Sequence, residues 1–434
     1  MEKLIYDTYV NILKDELVPA LGCTEPIAIA YAAARARQLL NGAMPERCIV
    51  RCSGNIVKNV KGVTVPNSGG LKGIAVSAIL GFVGGNADQE LAVLESVTDA
   101  DRETTRQLLE KGICTCELVK GVENLYIEIA LAAGERSSQV TIKNYHSNII
   151  EMRRDGQIIF QKETGVGTEK TAEPDKWLLN VKDILEFGET FRMEDLRETL
   201  ERQVQYNSAI SAEGLRNPYG AEVGRVLLGT RAHKAAPVKL KAKAFAAAGS
   251  DARMNGCSLP VVINSGSGNQ GITVTMPIKV YADEYGVSHE RFLRALAIGN
   301  LISIHQKKYI GSLSAYCGAV SAACGAGAAI TWMLGSSELV GGTYEEVCNT
   351  ITTTIATVGG MVCDGAKASC AAKISTAVEA ALTAYQMSTR SKGFRSGEGL
   401  VKDNVEDTIA SVGRMGREGM SSTDIEILNI MLEN

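Results

Sequence analysis

Two cysteines lie seven residues apart in the stretch MVCDGAKASC, residues 361–370. Cys363 and Cys370 are either buried small side chains, half of a disulfide system or ligands to a metal. Gly359-Gly360 and Gly365 interrupt the helical pattern around them, so the chain can fold back and bring both sulfurs together. This pair can therefore converge on one metal centre.

A third thiol comes from the stretch YCGAVSAACGAGAA. Cys317 and Cys324 are also seven residues apart, but on a helix their Cα atoms lie roughly 10 Å apart, too far to share a small metal centre. We expect only one of them, Cys317, to bind. With Cys363 and Cys370 it supplies three thiolates, which on a four-iron cluster leave one iron open as a Lewis acid. Zinc is the rival metal, but structural zinc prefers CxxC pairs or histidines, and the chain has 4 histidines.

The loop GCTEP, residues 22–26, offers a reactive thiol. Thr24 can cap the helix that follows, and Pro26 suits its first turn. Cys23 then lies at a helix N-terminus, where free N–H groups and the helix dipole favour a thiolate and lower its pKa. We predict chemistry at Cys23; a buried cysteine in a capping loop is the alternative.

The stretch VVINSGSGNQGITV matches the dinucleotide fingerprint GxGxxG formally. We reject that interpretation because a second parallel strand is missing and Pro277 follows six residues after the last glycine. A donor-rich loop at a helix N-terminus, suited to a carboxylate, is the better interpretation, and a plain interhelical turn is the alternative. The candidate substrate ligands are Asn264, Ser265, Ser267, Asn269 and Gln270.

A second glycine-rich loop, VPNSGGLKG, also offers donors. Its glycines allow close backbone approach, and Ser68 can contribute to an anion-binding nest. A plain strand-to-helix turn fits this loop nearly as well.

Composition narrows the classes of protein. The chain has 434 residues and a net charge of −4, with 45 basic and 49 acidic residues and no dense basic block, so nucleic-acid binding is unsupported. No stretch approaches the roughly 20 apolar residues that a membrane helix requires. The N-terminus lacks the pattern of a signal peptide, which predicts a cytoplasmic protein. There the 11 cysteines cannot easily form a disulfide framework. We expect a small amino-acid substrate; the oligomeric state stays open, with a homodimer as one candidate.

The elements that must position these residues predict an α+β fold. Period-two alternation and turn signals indicate a mostly antiparallel sheet in a smaller α+β domain over residues 45–170, inserted before a large Ala- and Gly-rich α-helical bundle. Residues 1–44 are expected to form helices that pack with the bundle. Residues 171–434 are expected to form the helical iron–sulfur catalytic domain, after a polar linker at 165–177.

These motifs resemble those of a known family. GCTEP, NSGSGNQGITVTMP, YCGAV and VCDGAKASC are similar to motifs of the L-cysteine desulfidase family, relatives of the iron–sulfur L-serine dehydratase α domain. The resemblance implies a [4Fe-4S] cluster with three protein cysteine ligands, carried over to Cys317, Cys363 and Cys370. Gly365 stands where the dehydratases have proline, the last two cysteines are closer together, and the C-terminus does not end in cysteine.

The resemblance further implies β-elimination of L-cysteine to pyruvate, ammonia and hydrogen sulfide. Cys23 is then the first choice for the base that removes the α-proton, and Glu25 either orients it or meets the substrate ammonium. His305 is a weaker candidate base. Lys367 could pair with the substrate carboxylate.

Three alternatives stay open. An iron–sulfur L-serine dehydratase would use the same cluster with a hydroxyl leaving group. A pyridoxal-phosphate eliminase would need a Schiff-base lysine, for which Lys72 is the attractive candidate. A non-catalytic iron–sulfur sensor would bind the cluster and turn over no amino acid.

Overall fold

The structure is a computed structural model that describes residues 1–162, 175–229, 235–311, 314–335 and 341–433. Most of the predicted linker, and the predicted domain boundary between residues 170 and 171, lie outside the described residues. Among the described helices, none is both long and apolar enough to cross a membrane.

Within the described residues, eight strands form two sheets. The strands are β1 (Pro19–Leu21), β2 (Arg47–Ser53), β3 (Cys114–Val119), β4 (Tyr126–Ala133), β5 (Arg136–Lys143), β6 (Ile149–Arg154), β7 (Gln157–Gln161) and β8 (Pro260–Val262). The larger sheet has the order β3-β2-β4-β5-β6-β7, in which only β2 and β3 are parallel. The α+β class with a mostly antiparallel sheet is therefore confirmed. The smaller sheet pairs β1 with β8 across about half the chain, which the sequence analysis did not foresee.

Sixteen α-helices are described. They are α1 (Lys3–Glu16), α2 (Thr24–Leu39), α3 (Gly54–Val60), α4 (Ile74–Gly84), α5 (Asp99–Glu110), α6 (Val181–Thr190), α7 (Met193–Arg216), α8 (Val223–Leu228), α9 (Val238–Met254), α10 (Gly268–Glu284), α11 (His289–Ile310), α12 (Gly318–Leu334), α13 (Tyr344–Val358), α14 (Cys370–Ser388), α15 (Val405–Arg414) and α16 (Ser421–Leu432). Short 3₁₀ turns cover Ala87–Ala92 and Lys176–Leu178, and a π turn at Met415–Gly419 joins α15 to α16.

The sheet forms one core with α2 and α4. Alternation along β4 points Ile127, Ile129 and Leu131 inward, as the period of a half-buried strand requires. The two helices that cover them approach closely because of Gly81, where a Cβ would lie 2.4 Å from the Ala30 carbonyl oxygen. The sheet and the N-terminal α2 are thereby held as one layered unit.

The remaining helices form a second core. Its central pair, α11 and α12, crosses where a Cβ at Gly325 would lie 2.3 Å from the Gly299 carbonyl oxygen. Small residues therefore allow the close helix contacts of this bundle. The structure separates the two N-terminal helices that the sequence analysis grouped together. Helix α1 packs on the bundle through Tyr9 and Phe187, with ring centroids 5.5 Å apart, whereas α2 covers the sheet.

Three local predictions differ from the structure. The alternating stretch at residues 48–57 predicts a strand throughout, but pairing of β2 ends at Ser53, whose hydroxyl donates to the Asn124 carbonyl at 2.6 Å, and Gly54–Val60 forms α3. Helical patterns over residues 193–204 and 206–229 predict a break between them, but Met193–Arg216 is one helix. The pattern over residues 403–431 predicts one helix, but the structure has two helices joined by a π turn. Pro277 lies inside α10, within the helix predicted over residues 270–285.

Candidate active site

One cavity of about 700 Å³ lies where the sheet core meets the helical bundle. It collects most of the residues that the sequence analysis singled out. Those on its wall are Cys23, Glu25, Ser265, Ser267, Asn269, Gln270, Cys317, Cys363 and Cys370. The three cysteines come from segments separated by up to 53 residues, 317 to 370, and Cys23 comes from the far end of the chain.

A short backbone pairing brings two of the cysteines together. Tyr316 and Val362 form an isolated antiparallel bridge. The Cys317 N–H donates to the Met361 carbonyl at 2.9 Å, and the Cys363 N–H donates to the Ala315 carbonyl at 2.6 Å. Cys317 is the N-cap of α12, so its side chain stands at the entrance of that helix.

The third cysteine follows a tight turn at Gly365. This glycine has a φ of +92°, and a Cβ there would lie 2.1 Å from the Lys58 carbonyl oxygen of α3. Cys370 then begins α14, and its Sγ lies 3.6 Å from the Gly365 carbonyl oxygen. The fold-back that glycine was predicted to allow is therefore present. Proline, which fixes φ near −65°, cannot adopt this conformation.

The β1–β8 pair places the two polar loops side by side. Strand β1 ends just before Cys23 and β8 ends just before Asn264, so both loops leave the small sheet at one place. The Thr24 hydroxyl spans the gap and donates to the Gly266 carbonyl at 3.4 Å. The turn itself requires positive φ at Ser265 and Gly266, and α10 begins at Gly268.

Cys23 is not held as a thiolate, and that prediction is wrong. Burial is the main cause that raises the pKa of its thiol well above the ordinary value, and the Glu25 carboxylate adds to it. The thiol instead donates to Glu25 Oε2 at 3.0 Å. Cys23, not Thr24, occupies the N-cap position of α2, but its side chain bonds no helix N–H. The helix dipole is therefore outweighed by desolvation and a neighbouring negative charge.

Glu25 stays ionised although it is withdrawn from solvent. Burial alone would raise the pKa of its carboxyl, but the charge of His146, the hydrogen bond from Cys23 and the charge of Arg253 hold it below the usual range. The Glu25 carboxylate therefore places a negative charge beside the two polar loops.

Three predicted substrate ligands lie off the cavity wall. Asn264 is buried behind the loop, where its amide donates to Asn300 Oδ1 at 2.9 Å and its oxygen accepts from Ser303 at 3.0 Å. The Ser68 hydroxyl closes its own turn by donating to the Leu71 carbonyl at 3.0 Å. The Lys367 ammonium forms an ion pair with Asp364, with Nζ 2.5 Å from Oδ1.

Two further candidates also lie elsewhere. His305 is fully buried and its Nε2 is 2.7 Å from Glu406 Oε2, a structural pair between α11 and α15. Lys72, the candidate for a Schiff base, is exposed to solvent and does not line the cavity.

Comparison with known proteins identifies the family. A family profile described as serine dehydratase alpha chain matches residues 88–429. This chain belongs to the serine dehydratase alpha chain family. A UPF0597 protein of Lachnoclostridium phytofermentans is 50% identical over 99% of this chain and 100% of its own length. UPF0597 proteins of Treponema denticola and Shewanella sp. are 44% and 39% identical, each over 100% of its own length and 100% and 99% of this chain.

The cysteines of this serine dehydratase alpha chain relative suit a multinuclear cluster. Burial raises the pKa of Cys317 to about 12, and the neighbouring Cys363 adds to the effect. Among the described residues, no three Cys, His, Asp or Glu side chains converge on the position of a single metal ion. In a four-iron cluster each cysteine binds a different iron, so three thiols need not meet at one metal ion. The donor set therefore fits a cluster better than zinc.

Two lysines surround the thiols. Lys307 is 7% exposed, and burial lowers its pKa to about 8 although Cys363 and Cys317 oppose that shift. Burial would also lower the pKa of Lys373, but its hydrogen bond to Asp364 and the charges of Asp364, Cys317 and Cys370 raise it overall. Both cations would offset the negative charge that three thiolates bring into a buried site.

Sequence reasoning missed Arg253 and His146, which also line the cavity. Arg253 is 3% exposed and forms no hydrogen bond or ion pair within the described residues. Arg253 Nε lies only 2.4 Å from the position that a Cβ of Gly268 would occupy. The lack of a side chain at this glycine therefore makes room for the guanidinium at the start of α10. Neither residue stands in a recognisable motif, so the sequence carried no signal for them.

Replacement of Gly365 by alanine should destabilise the protein more than the same change at Gly360. Both glycines have positive φ, +92° and +100°, but only Gly365 has an atom within 4 Å of the added Cβ. Both alanine variants therefore carry similar backbone strain. The additional clash with Lys58 should lower the free energy of unfolding of Gly365→Ala by about 1–3 kcal/mol more. Urea unfolding of the two variants measures the difference. Equal losses would show that the turn tolerates the side chain.

Proposed function

We propose that this protein is an amino-acid β-eliminase that converts L-cysteine to pyruvate, ammonia and hydrogen sulfide. Membership of the serine dehydratase alpha chain family supports the reaction class. The observation that carries the proposal is the convergence of three distant thiols with a carboxylate-binding loop and an unpaired arginine in one cavity. That combination offers a metal cluster and an amino-acid site side by side.

Cys317, Cys363 and Cys370 would hold a [4Fe-4S] cluster with one open iron. When bound, the cluster supplies a Lewis acid that neutralises negative charge on the departing sulfur. The chain must release the protons of three buried thiols to bind it, since only thiolates ligate iron. Lys307 and Lys373 assist by placing positive charge beside those thiols.

Arg253 and the loop before α10 would bind the substrate carboxylate. A guanidinium without an internal partner can present two N–H groups to a carboxylate, which gives orientation as well as affinity. Asn269 Oδ1 and Gln270 Oε1 are buried and lack hydrogen-bond partners among the described residues; these oxygens accept hydrogen bonds and therefore suit the substrate ammonium. We also assign the substrate ammonium to the Glu25 carboxylate, which lines the same cavity.

These contacts orient the Cα–H bond and exclude water until sulfide has left. Elimination gives aminoacrylate, which tautomerises to an imine and is hydrolysed by water to pyruvate and ammonia. The buried site keeps the reactive enamine from solvent during the elimination.

L-serine dehydration is the second candidate, and family membership favours it specifically. Both reactions need the same contacts to the amino-acid backbone and differ in the atom that leaves Cβ. We expect anaerobically reconstituted protein to release pyruvate faster from L-cysteine than from L-serine, because soft thiolate sulfur binds iron better than a hydroxyl does. A higher kcat/KM for serine would assign the dehydratase reaction. Absence of turnover with either amino acid, in protein that retains its cluster, would favour the sensor.

The cluster ligands are tested by iron and sulfide analysis of anaerobic protein. Cys317→Ala, Cys363→Ala and Cys370→Ala should each lose most of the bound iron, because two thiolates cannot retain an open cluster. Cys324→Ala is the matched control, since this buried thiol lies seven residues along α12 and contacts the Ile351 carbonyl at 3.8 Å. The full iron complement in all three ligand variants would refute the assignment.

Arg253→Met should raise KM for the amino acid roughly 10- to 100-fold, which corresponds to a lost charged hydrogen bond of about 1.5–3 kcal/mol. Arg253→Lys should recover part of the loss because it keeps the charge but not the two-pronged geometry. The matched control is Arg390→Met, at an exposed position just after α14. An unchanged KM in Arg253→Met would place the carboxylate elsewhere.

A further inference from the structure

We propose that His146 is the base that removes the α-proton of the bound amino acid. This inference rests on the proposed elimination and deepens it, since it replaces Cys23 by a residue that the sequence analysis did not consider. Four observations support it: the position of the histidine, its missing hydrogen bonds, the charges around it and the state of the competing bases.

His146 lies in the turn between β5 and β6, which reaches from the sheet into the cavity of the bundle. The turn is held in place by backbone contacts. The Asn144 N–H donates to the Leu125 carbonyl at 3.0 Å, and the Asn148 side chain donates to the Lys143 carbonyl at 2.8 Å. These hydrogen bonds hold the turn, and with it His146, in a defined position at the cavity, as general-base catalysis requires.

The imidazole forms no hydrogen bond within the described residues. Its Nε2 is shielded from solvent and has no partner among the described residues, which is unfavourable if nothing binds there. The other two histidines that the structure describes are both engaged: His289 Nε2 lies 2.6 Å from Glu201, and His305 Nε2 lies 2.7 Å from Glu406. His305 Nδ1 is also buried without a partner among the described residues, but His305 does not line the cavity, so His146 is the described histidine that offers a free ring nitrogen there.

The charged groups that act on His146 are Glu25 from α2 and Arg253 from α9. Burial lowers the pKa of His146, Arg253 lowers it further, and Glu25 opposes both. The lowered pKa favours the neutral ring, which has a free electron pair for a proton. Once protonated, the imidazolium gains the attraction of the Glu25 carboxylate. The same Arg253 that would hold the substrate carboxylate places the substrate beside this ring.

The competing bases are engaged elsewhere. The Cys23 thiol donates to Glu25. Lys58 is paired with Asp424 from α16. Lys308 also lines the cavity, but it donates to the Leu179 carbonyl at 2.7 Å. Lys307 is a further rival, because it lines the cavity and has no ion pair within the described residues, but it lies beside Cys317 and Cys363, which act on its charge.

The step balances as follows. A ring nitrogen of His146 takes the proton from Cα, and the electrons of the C–H bond form the Cα=Cβ double bond. The Cβ–S bond breaks, and its electron pair leaves with sulfur as hydrosulfide. The imidazolium then returns its proton to hydrosulfide or to water, so the products are aminoacrylate and hydrogen sulfide and no external oxidant or reductant is needed.

The test compares His146→Gln and His146→Asn with wild type after anaerobic cluster reconstitution. We expect kcat to fall about 10²- to 10⁴-fold, as is typical for loss of a general base, with unchanged iron content and unchanged KM. His289→Gln is the matched control, because His289 is exposed and lies outside the cavity. Two variants are used so that misfolding of one, seen by circular dichroism, leaves the other informative.

Two further readouts separate a base from a structural residue. Added imidazole should restore part of the activity of the variants, and the wild-type kcat/KM should fall as acid protonates the ring, on the low-pH side of about 6.5. With α-deuterated L-cysteine, the isotope effect on kcat should increase in the variants because proton removal becomes rate-limiting.

The possible results separate failure of the proposed elimination from failure of the assignment of His146. Wild-type protein that eliminates neither L-cysteine nor L-serine overturns the proposed function and this inference together. Wild-type elimination that persists in both His146 variants overturns this inference alone. A comparable kcat loss in Lys307→Met with full iron content, combined with near-normal rates in the His146 variants, would assign the base to the lysine instead.

Discussion

Two backbone hydrogen bonds between Ala315–Cys317 and Met361–Cys363 are the constraint on which the site depends. They connect the N-terminus of α12 to the loop before α14. Thiols that are distant in the sequence therefore line the same wall of the cavity. The turn at Gly365, pressed against the Lys58 carbonyl of α3, then directs the chain back to Cys370. Without this pairing the cysteines would be ordinary core residues, since free cysteine packs as a small hydrophobe.

A second short pairing organises the substrate side. Strands β1 and β8 set the GCTEP loop against the serine- and glycine-rich loop, and Thr24 connects the two. This arrangement joins the first residues of α2 and α10 at one cavity. The site therefore lies at the junction of the sheet core and the helical core, a location that ligand pockets commonly occupy.

The charge distribution in the cavity follows from this junction. Cations lie on both sides: Lys307 and Lys373 beside the thiols, and Arg253 beside the polar loops. Glu25 places a negative charge between Cys23 and His146. A buried site can hold such unpaired groups only at a cost in stability, which binding of cluster and amino acid would offset. The pattern is that of a site prepared for anionic ligands.

The sequence by itself determined the classes of residue and the broad architecture. The α+β fold, the antiparallel character of the sheet, the cysteine triplet and the donor loop at a helix start all follow from spacing, alternation and glycine placement, which are local properties. It failed where long-range packing decides the outcome: the alternating stretch at residues 48–57 was expected to be strand throughout, but Gly54–Val60 forms α3.

Only the tertiary structure decided the protonation and the partners of the site. Position at a helix N-terminus predicted a thiolate at Cys23, but burial and the adjacent Glu25 reverse that preference. Arg253 and His146 belong to no motif. They stand out because Arg253 Nε and His146 Nε2 are buried without a hydrogen-bond partner among the described residues. Desolvation and the distance between charges depend on how remote segments pack, and no spacing along a single chain contains that information.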